Sequence, residues 1–418
     1  MQFRWHPDES PPRIEGHSKA KLTVLRRYIR AYFDRLNVNP HRETFKLDLV
    51  DGFSGGGTFL DNGHLISGTP LIMLEEIEAA KRRLNQNRNK PLEFDCKCYF
   101  VDVEQAHINH LQKVLSEQNH AIKDSSIIVR NNAFELEIDN ILKEIQRRQP
   151  RAGRAIFLLD QTGFSQVELA IVRRIFDNLP AAEVILTFAA DSLINHLANT
   201  PQLIKAVAPL NLTESQIHDL IQLKNGAGGR ALVQRTLRAH LRAITGATFD
   251  TPFYIQPRES RRALWFLHLS RHPTARDVMI RLHWEIQNTF EHYGRGDFGM
   301  LGWDALKPDT FSLFHFEQLE IQQMNEQLLE TMPAKLYGLA SQEPVTVDAI
   351  RHVLGNDTAA RFSDLDEVIL RLAKEREIQI LSSTGAVRSQ ALTRLQPTDQ
   401  IAFPDTLLLP GISRIRQR

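Results

Sequence analysis

Several features are scarce in this sequence, and each shortage excludes a class of protein. Only two cysteines are present, too few for a disulfide framework and only half of the ligands that a structural zinc site needs. The formal net charge is +1, so any contact with nucleic acid has to come from local patches. No apolar run reaches the roughly 18 residues of a membrane span, and the first ten residues lack the core of a signal peptide. We therefore expect a cytoplasmic protein with no membrane segment and no metal site.

Phe45–Phe59, with the sequence FKLDLVDGFSGGGTF, carries the most information. Its apolar first half predicts a buried parallel strand, and its three consecutive glycines predict a turn that leaves no side chain between backbone and ligand. The turn has the pattern D-x-F-x-G-x-G, formed by Asp51, Phe53, Gly55 and Gly57. Such a turn lets a nucleotide-like ligand lie against the backbone, and Ser54 or Thr58 adds a hydroxyl hydrogen bond. A glycine-rich hairpin or linker is the alternative.

The next two predicted strands also end in polar residues. Lys97–Val103 contains Asp102, and a carboxylate at that place in a nucleotide-binding unit accepts hydrogen bonds from ribose hydroxyls. For Glu104 an acidic helix cap is an equally good explanation. After the third strand, Asn132 and Ala133 are placed to read the edge of a base, although a turn that needs asparagine explains them equally well.

A fourth strand, Ala155–Leu159, is wholly apolar and leads into the run Asp160-Gln161-Thr162-Gly163-Phe164. Doubly wound sheets keep their chemistry at such strand ends. Asp160 and Phe164 are therefore the candidate catalytic residues.

Strand and helix patterns alternate along the chain, which predicts a parallel sheet with right-handed crossovers. The expected fold class is α/β, a Rossmann-like sheet with helices on both faces and an antiparallel final pair of strands. Residues 1–44 form a loose arm and a helix packed on the core, and residues 45–310 form the Rossmann-like domain. That domain carries a basic helical insert at about residues 200–250, and residues 311–418 form a C-terminal domain.

These motifs resemble those of class I S-adenosylmethionine (SAM)-dependent methyltransferases and, more narrowly, of the three-Cys-motif partner (TcmP) family. The matching segments are KAKLTVLRRYIRAYF, LVDGFSGGG, Gly68-Thr69-Pro70 and Asp160-Gln161-Thr162-Gly163. The resemblance implies SAM as the cofactor, with Asp51 and the glycines at its amino-acid part and Asp102 at its ribose. It also implies a partner, the radical-SAM-like protein with three cysteines for which the family is named.

The run after the fourth strand departs from that of nucleobase methyltransferases. Amino-methylating enzymes place Asp/Asn-Pro-Pro-Tyr/Phe there, where the polar group holds the target nitrogen and the ring stacks on the flipped base. Asp160 and Phe164 supply those two groups, but both prolines are missing, and so is the Pro-Cys nucleophile of a cytosine-5 enzyme. The expected function is a SAM-binding, methyltransferase-like protein, with nucleic acid a less supported substrate. The alternative is a non-catalytic protein that docks a partner through its C-terminal domain.

The C-terminal domain has the outline of a winged helix, with two short helices and a hairpin. Its second helix, Asp364–Arg376, carries three acids in its first turns: Asp364, Asp366 and Glu367. A DNA-recognition helix contacts bases and phosphates with those turns. Because carboxylates repel phosphates, the composition favours docking to protein over binding to nucleic acid.

Overall fold

The structure is a computed structural model. It describes the chain apart from residues 1–2, 7–8, 119–125, 162, 164–165, 199, 227–228, 256–263, 287–291, 294–312, 315–317, 390, 405, 410–411 and 417–418. The chain divides into two compact units, Met1–Leu282 and His283–Arg418. Across the described residues, no helix is at once long enough and apolar enough to cross a bilayer.

The first unit alternates helices with strands. The helices are α1 (Gly16–Leu36), α2 (Thr69–Asn85), α3 (Gln105–Glu117), α4 (Phe134–Arg148), α5 (Leu169–Asn178), α6 (Ala190–His196), α7 (Pro201–Val207), α8 (Glu214–Asn225), α9 (Gly229–Thr245) and α10 (Pro273–Glu285), which begins in it. The strands are β1 (Thr44–Asp51), β2 (Thr58–Asp61), β3 (His64–Ser67), β4 (Glu93–Asp102), β5 (Ile127–Asn131), β6 (Ala155–Leu159), β7 (Ala182–Phe188), β8 (Phe249–Ile255) and β9 (Leu264–Ser270).

Seven of these strands form one sheet in the order β5-β4-β1-β6-β7-β9-β8. The first five in that order are parallel, whereas β9 lies antiparallel between β7 and β8. The winding direction reverses at β1, which has β4 on one side and β6 on the other. A reversal of this kind opens a crevice at the carboxyl ends of the strands. The prediction of a Rossmann-like, class I methyltransferase sheet with an antiparallel final pair is confirmed.

The middle of the sheet is covered on both faces. Every residue of β6 and of β7 is buried, which is why AIFLL is a continuous apolar run and not an alternating one. Helix α1 adds Tyr28 to this core. The Tyr28 hydroxyl donates to Glu183 and lies 3.0 Å from His268 Nε2, so the polar end of the ring is satisfied inside the protein.

The N-terminal segment is not the loose arm that its composition predicted. The Ile14 amide donates to the Leu60 carbonyl (2.9 Å), and the Leu60 amide donates to the Pro12 carbonyl (3.0 Å), so the segment pairs with β2. This prediction was wrong because the β2–β3 hairpin that supplies the partner was not recognised. The signal for that hairpin was Asn62-Gly63, whose positive φ values of 51° and 84° suit a tight two-residue hairpin loop.

Helices α6 to α9 occupy the region for which a basic helical insert was predicted. Three of its arginines are held by two buried carboxylates, since Arg238 and Arg242 share Asp250. Arg230 Nη2 lies 2.7 Å from Asp191 Oδ1, and Arg238 Nε lies 2.6 Å from Asp250 Oδ2. Both carboxylate side chains are fully buried, so these arginines neutralise internal charge instead of presenting a basic surface.

The second unit has its own helices and short strands. The helices are α11 (Gln318–Ala340), α12 (Val347–Leu354) and α13 (Phe362–Lys374). The strands are β10 (His292–Tyr293), β11 (Leu313–Phe314), β12 (Val345–Thr346), β13 (Gln379–Leu381), β14 (Gln400–Ala402), β15 (Thr406–Leu409) and β16 (Ile412–Arg416). Strands β12, β14 and β13 form a sheet in that order. Two short helices, α12 and α13, lie where they were predicted, but β13 pairs with β14, and the predicted hairpin to Val387 is only a single bridge from Leu381. The winged-helix interpretation stays a prediction.

The acids of α13 are placed differently from what the sequence suggested. Asp364 is 3% exposed, and it accepts hydrogen bonds from the Arg361 amide (2.8 Å) and guanidinium (2.6 Å). Asp366 accepts two hydrogen bonds from Arg351 (2.6 and 2.8 Å). Only Glu367 of the three is exposed. Neighbouring arginines therefore neutralise two of the three carboxylates that were expected to repel DNA phosphates, which weakens the electrostatic argument against DNA binding.

We expect Asp364→Ala to lower the free energy of unfolding by about 1 kcal/mol, because it removes the side chain that caps the first turn of α13. Glu367→Ala, three residues along the same helix, serves as the control and should change stability by less than about 0.5 kcal/mol. Thermal unfolding of the full chain measures both variants. Equal effects would contradict the capping role.

Candidate functional site

A cavity of about 600 Å³ lies where the carboxyl ends of β1, β4, β5 and β6 meet. It is within the size range of ligand pockets, about 300–1,000 Å³. The predicted site residues that line it are Phe53, Ser54, Gly55, Asp102, Asn132, Ala133 and Asp160. Asp51 and Gly57 are not among its lining residues, and Phe164 lies outside the described residues. The lining residues converge because parallel strands bring their carboxyl ends to one edge of a sheet.

The backbone of the glycine turn is anchored to the strands on both sides of β1. The Gly52 amide donates to the Leu158 carbonyl at 2.9 Å, and the Ser54 amide donates to the Val101 carbonyl at 3.0 Å. Leu158 belongs to β6 and Val101 to β4. The turn therefore starts at a fixed position relative to the crevice.

Two of the three consecutive glycines have backbone angles that favour glycine. Gly55 has φ of +59° and Gly57 has φ of +84°. Gly57 faces helix α3, because a Cβ at this residue would lie 2.7 Å from Leu111 Cδ1. Its carbonyl accepts a hydrogen bond from the Gly68 amide at 2.7 Å. The structure thus gives Gly57 a packing role and leaves Gly55 at the cavity.

The carboxylate of Asp102 fastens the turn and also faces the cavity. Its Oδ2 accepts a hydrogen bond from the Gly55 amide at 2.8 Å. Its Oδ1 accepts one from the Glu104 amide at 2.9 Å. Because a carboxylate offers about four acceptor positions, capacity remains for a ligand hydroxyl. Glu104 occupies the N-cap position of α3, but its side chain makes no capping hydrogen bond.

Two buried histidines of α3, not identified from the sequence, support the same turn. His107 Nδ1 lies 3.1 Å from Asp102 Oδ1, and His110 Nδ1 lies 2.7 Å from the Gly56 carbonyl oxygen. A protonated Nδ1 donates in both places, since the facing atoms are acceptors. The histidines are three residues apart and share one face of the helix. That spacing, directly after Asp102, was the available signal.

The hydroxyl of Ser54 is buried and unsatisfied at the wall of the cavity. The residue is 5% exposed, lines the cavity, and its Oγ has no hydrogen-bond partner among the described residues. Leaving a buried hydroxyl unpaired costs about 1–3 kcal/mol. A ligand that reached Ser54 Oγ would remove this cost. Thr58 Oγ1 is also buried and unpaired in the described structure, but Thr58 does not line the cavity.

Asp51 lies behind the turn, with no exposed surface, and its Oδ1 accepts a hydrogen bond from the Phe53 amide at 3.1 Å. Burial raises the pKa of Asp51 to about 7; the Phe53 hydrogen bond opposes this rise and the Asp160 carboxylate adds to it. The Thr69 hydroxyl also lowers the pKa, although its geometry falls short of a hydrogen bond to Oδ2. Asp51 therefore supports the turn from inside and exchanges a proton near neutral pH.

The amide of Asn132 is used to build the turn that leads into α4. Its Nδ2 donates to Glu137 Oε1 at 2.8 Å, and its Oδ1 accepts from the Ala133 amide at 2.9 Å. Ala133 is the N-cap residue of α4. Both residues line the cavity. The hydrogen bonds of the Asn132 side chain are those of a residue that shapes a turn, which was the alternative to reading the edge of a base.

Asp160 is already paired on both of its oxygens. Lys21 Nζ of α1 lies 2.6 Å from each of them, and the Thr187 hydroxyl donates to Oδ1 at 2.5 Å. The Lys21 side chain is 12% exposed and that of Asp160 is 33% exposed. Asp160 is thus oriented by a cation 139 residues earlier in the chain, a contact that local sequence patterns do not indicate.

His17 lies near this ion pair at the start of α1. Burial lowers the pKa of His17, and the Lys21 cation lowers it further, while the carboxylates of Glu15 and Asp160 act in the opposite direction. The imidazole is therefore mainly neutral at pH 7.

Next to Asp160, the Gln161 side chain holds the loop after β6. Its Oε1 accepts a hydrogen bond from the Val167 amide at 2.8 Å.

The indole of Trp5 covers the glycine turn from the N-terminal segment. Its Nε1 donates to the Thr58 carbonyl at 2.6 Å. A Cβ on Gly55 would lie 2.9 Å from Trp5 Cη2, and one on Gly56 would lie 2.7 Å from Trp5 Cβ and nearer still to the ring. The space that these glycines leave open is therefore filled in part by the protein itself.

The charges around the cavity are mostly negative. Among its described lining residues, the acids are Asp102, Glu135 and Asp160, and the single lysine or arginine is Lys21, which is paired with Asp160. Phosphate groups are normally bound by cations or by exposed backbone amides at a helix N-terminus. The lining suits a neutral or cationic ligand better than a phosphorylated one. No cluster of three or more His, Cys, Asp or Glu that suits a metal ion occurs among the described residues.

Comparisons with known proteins give no family assignment. No family model matches the chain, so its resemblance to the TcmP family stays a prediction. No curated protein matches it either.

Solved structures show distant similarity. A DUF519 protein from Legionella pneumophila has a TM-score of 0.35 and 10% identity, over 64% of this chain and 92% of its own. Monomeric WbdD has a TM-score of 0.26 and 14% identity, over 58% of this chain and 40% of its own. PKMT2 from Rickettsia typhi, solved in complex with AdoHcy, has a TM-score of 0.25 and 11% identity, over 87% of this chain and 74% of its own. At these scores the fold assignment rests on the strand order of the chain itself.

Because the pKa of Asp51 is raised, we expect Asp51→Asn to change the stability of the protein by an amount that depends on pH. Because the folded pKa of about 7 exceeds the unfolded value of about 3.9, the native state binds more protons, and its stability falls as pH rises between those values. The asparagine variant lacks this dependence. We expect its melting temperature, relative to the unsubstituted protein, to rise from pH 5 to about pH 7 and to level off above that pH. Asp139→Asn, on the exposed side of α4, should show a constant difference; a constant difference for Asp51→Asn as well would refute the assignment.

Proposed function

We propose that the cavity binds S-adenosylmethionine and that the protein is a SAM-dependent methyltransferase. The observation that carries this proposal is the acidic lining. A ligand with a sulfonium cation, an adenosine and no phosphate suits a cavity whose lysine is already neutralised. Dinucleotides and nucleoside triphosphates would bring phosphates to the same carboxylates.

The residues at the cavity fit the parts of this cofactor. Asp102 keeps acceptor capacity for ribose hydroxyls. Ser54 offers a buried hydroxyl without a partner among the described residues, next to Gly55 at the cavity wall, for the amino-acid part. Ala133 and Phe134, at the start of α4, supply apolar surface for the adenine ring. When bound, SAM would supply the methyl group, and Asp160 with Lys21 would face the group that accepts it.

A second function is favoured by the pairing of Asp160. Lys21 neutralises its charge and, with Thr187, holds the carboxylate in place, which suits a protein that binds SAM without using Asp160 to activate a methyl acceptor. In that case the protein would serve as a SAM-binding partner, for example of a radical-SAM-like protein. A chain that binds S-adenosylhomocysteine but methylates no acceptor offered to it would fit this function.

Calorimetry separates the cofactor classes. We expect saturable one-site binding of SAM and of S-adenosylhomocysteine, and no measurable heat with NAD or ATP at the same concentrations. The acidic cavity is the reason for the difference. Binding of NAD or ATP in place of S-adenosylhomocysteine would overturn the proposal.

Ser54→Ala should change stability and affinity in opposite directions. Without ligand, the variant no longer buries an unpaired hydroxyl, so its stability should stay the same or rise by up to about 1–3 kcal/mol. Its affinity for S-adenosylhomocysteine should fall by about 2- to 12-fold, the equivalent of one neutral hydrogen bond of 0.5–1.5 kcal/mol.

Thr58→Val is the matched control, since it removes a second buried, unpaired hydroxyl that lies away from the cavity. It should leave affinity unchanged. An equal loss of affinity in both variants, or none in Ser54→Ala, would show that Ser54 does not contact the cofactor.

A further inference from the structure

Trp5 belongs to a closed group of contacts around the proposed ribose-binding carboxylate. Its ring lies edge-on to His107, with centroids 4.9 Å apart, and directly against Gly55. His107 and Gly55 in turn each contact the Asp102 carboxylate, at 3.1 and 2.8 Å. One indole therefore braces two of the three groups that contact the Asp102 carboxylate; the third is the Glu104 amide.

The indole is itself firmly held. Trp5 is 6% exposed, and its Nε1 donates to the Thr58 carbonyl at the end of the glycine turn. The Phe59 ring packs against it with centroids 5.1 Å apart. Both aromatic residues line the cavity. Trp5 thus contacts the turn at three residues: Gly55, Gly56 and Thr58.

Gly56 shows what the turn requires at its middle position. Unlike Gly55 and Gly57, it does not have a positive φ, so its backbone suits any residue. A Cβ there would nevertheless overlap the Trp5 side chain, and Gly56 does not line the cavity. The middle glycine is therefore required by the indole and not by a ligand.

We propose that Trp5 is a positioning residue of the cofactor site, acting through Gly55 and His107 on Asp102. This inference rests on the proposed SAM binding. It assigns to the N-terminal segment a part in binding the adenosine of the cofactor. It also gives a reason why a segment about 50 residues away in sequence packs against the glycine turn. The carboxylate itself contacts the cofactor; the indole keeps it in place.

Affinity and stability, measured separately, test the positioning role. S-adenosylhomocysteine is titrated into the full chain and into Trp5→Ala and Trp5→Phe. We expect Trp5→Ala to lose about tenfold in affinity, the loss typical of residues that orient a ligand-binding group, and Trp5→Phe to recover part of it. The cofactor should also change the tryptophan emission of the unsubstituted protein, and Trp5→Phe should lose that change. Unaltered affinity and emission in folded Trp5→Phe would overturn the proposal.

A double substitution tests whether the indole acts through the turn. Gly56→Ala alone should weaken binding, because the new methyl group displaces Trp5. Added to Trp5→Ala, it should cost clearly less, since the contacts with the ring atoms Cγ and Cδ1 are gone and only the 2.7 Å contact with the Cβ of residue 5 remains. Equal losses from Gly56→Ala in both backgrounds would refute this account. If Trp5→Ala does not fold, Trp5→Phe alone carries the test of affinity and emission. Failure of the unsubstituted protein to bind S-adenosylhomocysteine would count against the proposed function instead.

Discussion

The carboxylate of Asp102 receives the Gly55 amide on one oxygen and the Glu104 amide on the other. These two hydrogen bonds join the end of β4 to the turn after β1 and to the start of α3. Ser54 and Gly55, which line this side of the cavity, are placed relative to this junction. His107 supports the carboxylate from α3, and Trp5 supports His107 from the N-terminal segment. The site is thus a layered arrangement in which each group is oriented by the next one outward.

The two halves of the cavity differ in how their carboxylates are paired. In one half, Asp102 faces the cavity beside an unpaired serine hydroxyl. In the other half, Lys21 neutralises Asp160, so a carboxylate and an ammonium group face the cavity as an ion pair. Asp51, directly behind, carries a proton for much of the range near neutral pH. The electrostatic field in the cavity is therefore set by how many of three aspartates are paired or protonated, and not by the near-zero net charge of the chain.

The sequence allowed the fold and the strand ends to be predicted, because those depend on local patterns. The run AIFLL indicates a buried strand, Asp51 and Asp102 are the last residues of β1 and β4, and Asp160 follows β6. The residues that support the site could not be predicted from the sequence, for a physical reason. Lys21 and Asp160 are 139 positions apart, and Trp5 and Thr58 are 53 apart, so no local period relates them. The same limit misled the reading of α13, where Asp366 meets Arg351 from the preceding helix.

The order of strands in the sheet also bears on how the protein is made. Strand β9 follows β8 in the chain, yet it lies between β7 and β8. Until Leu264–Ser270 has left the ribosome, β7 has no neighbour on its outer side, and β8 has nothing to pair with in this sheet. An unpaired strand edge in a growing chain is a place where other chains attach. The sheet therefore closes late in synthesis, after about 260 residues, and one short segment covers the edge of β7 and pairs with β8.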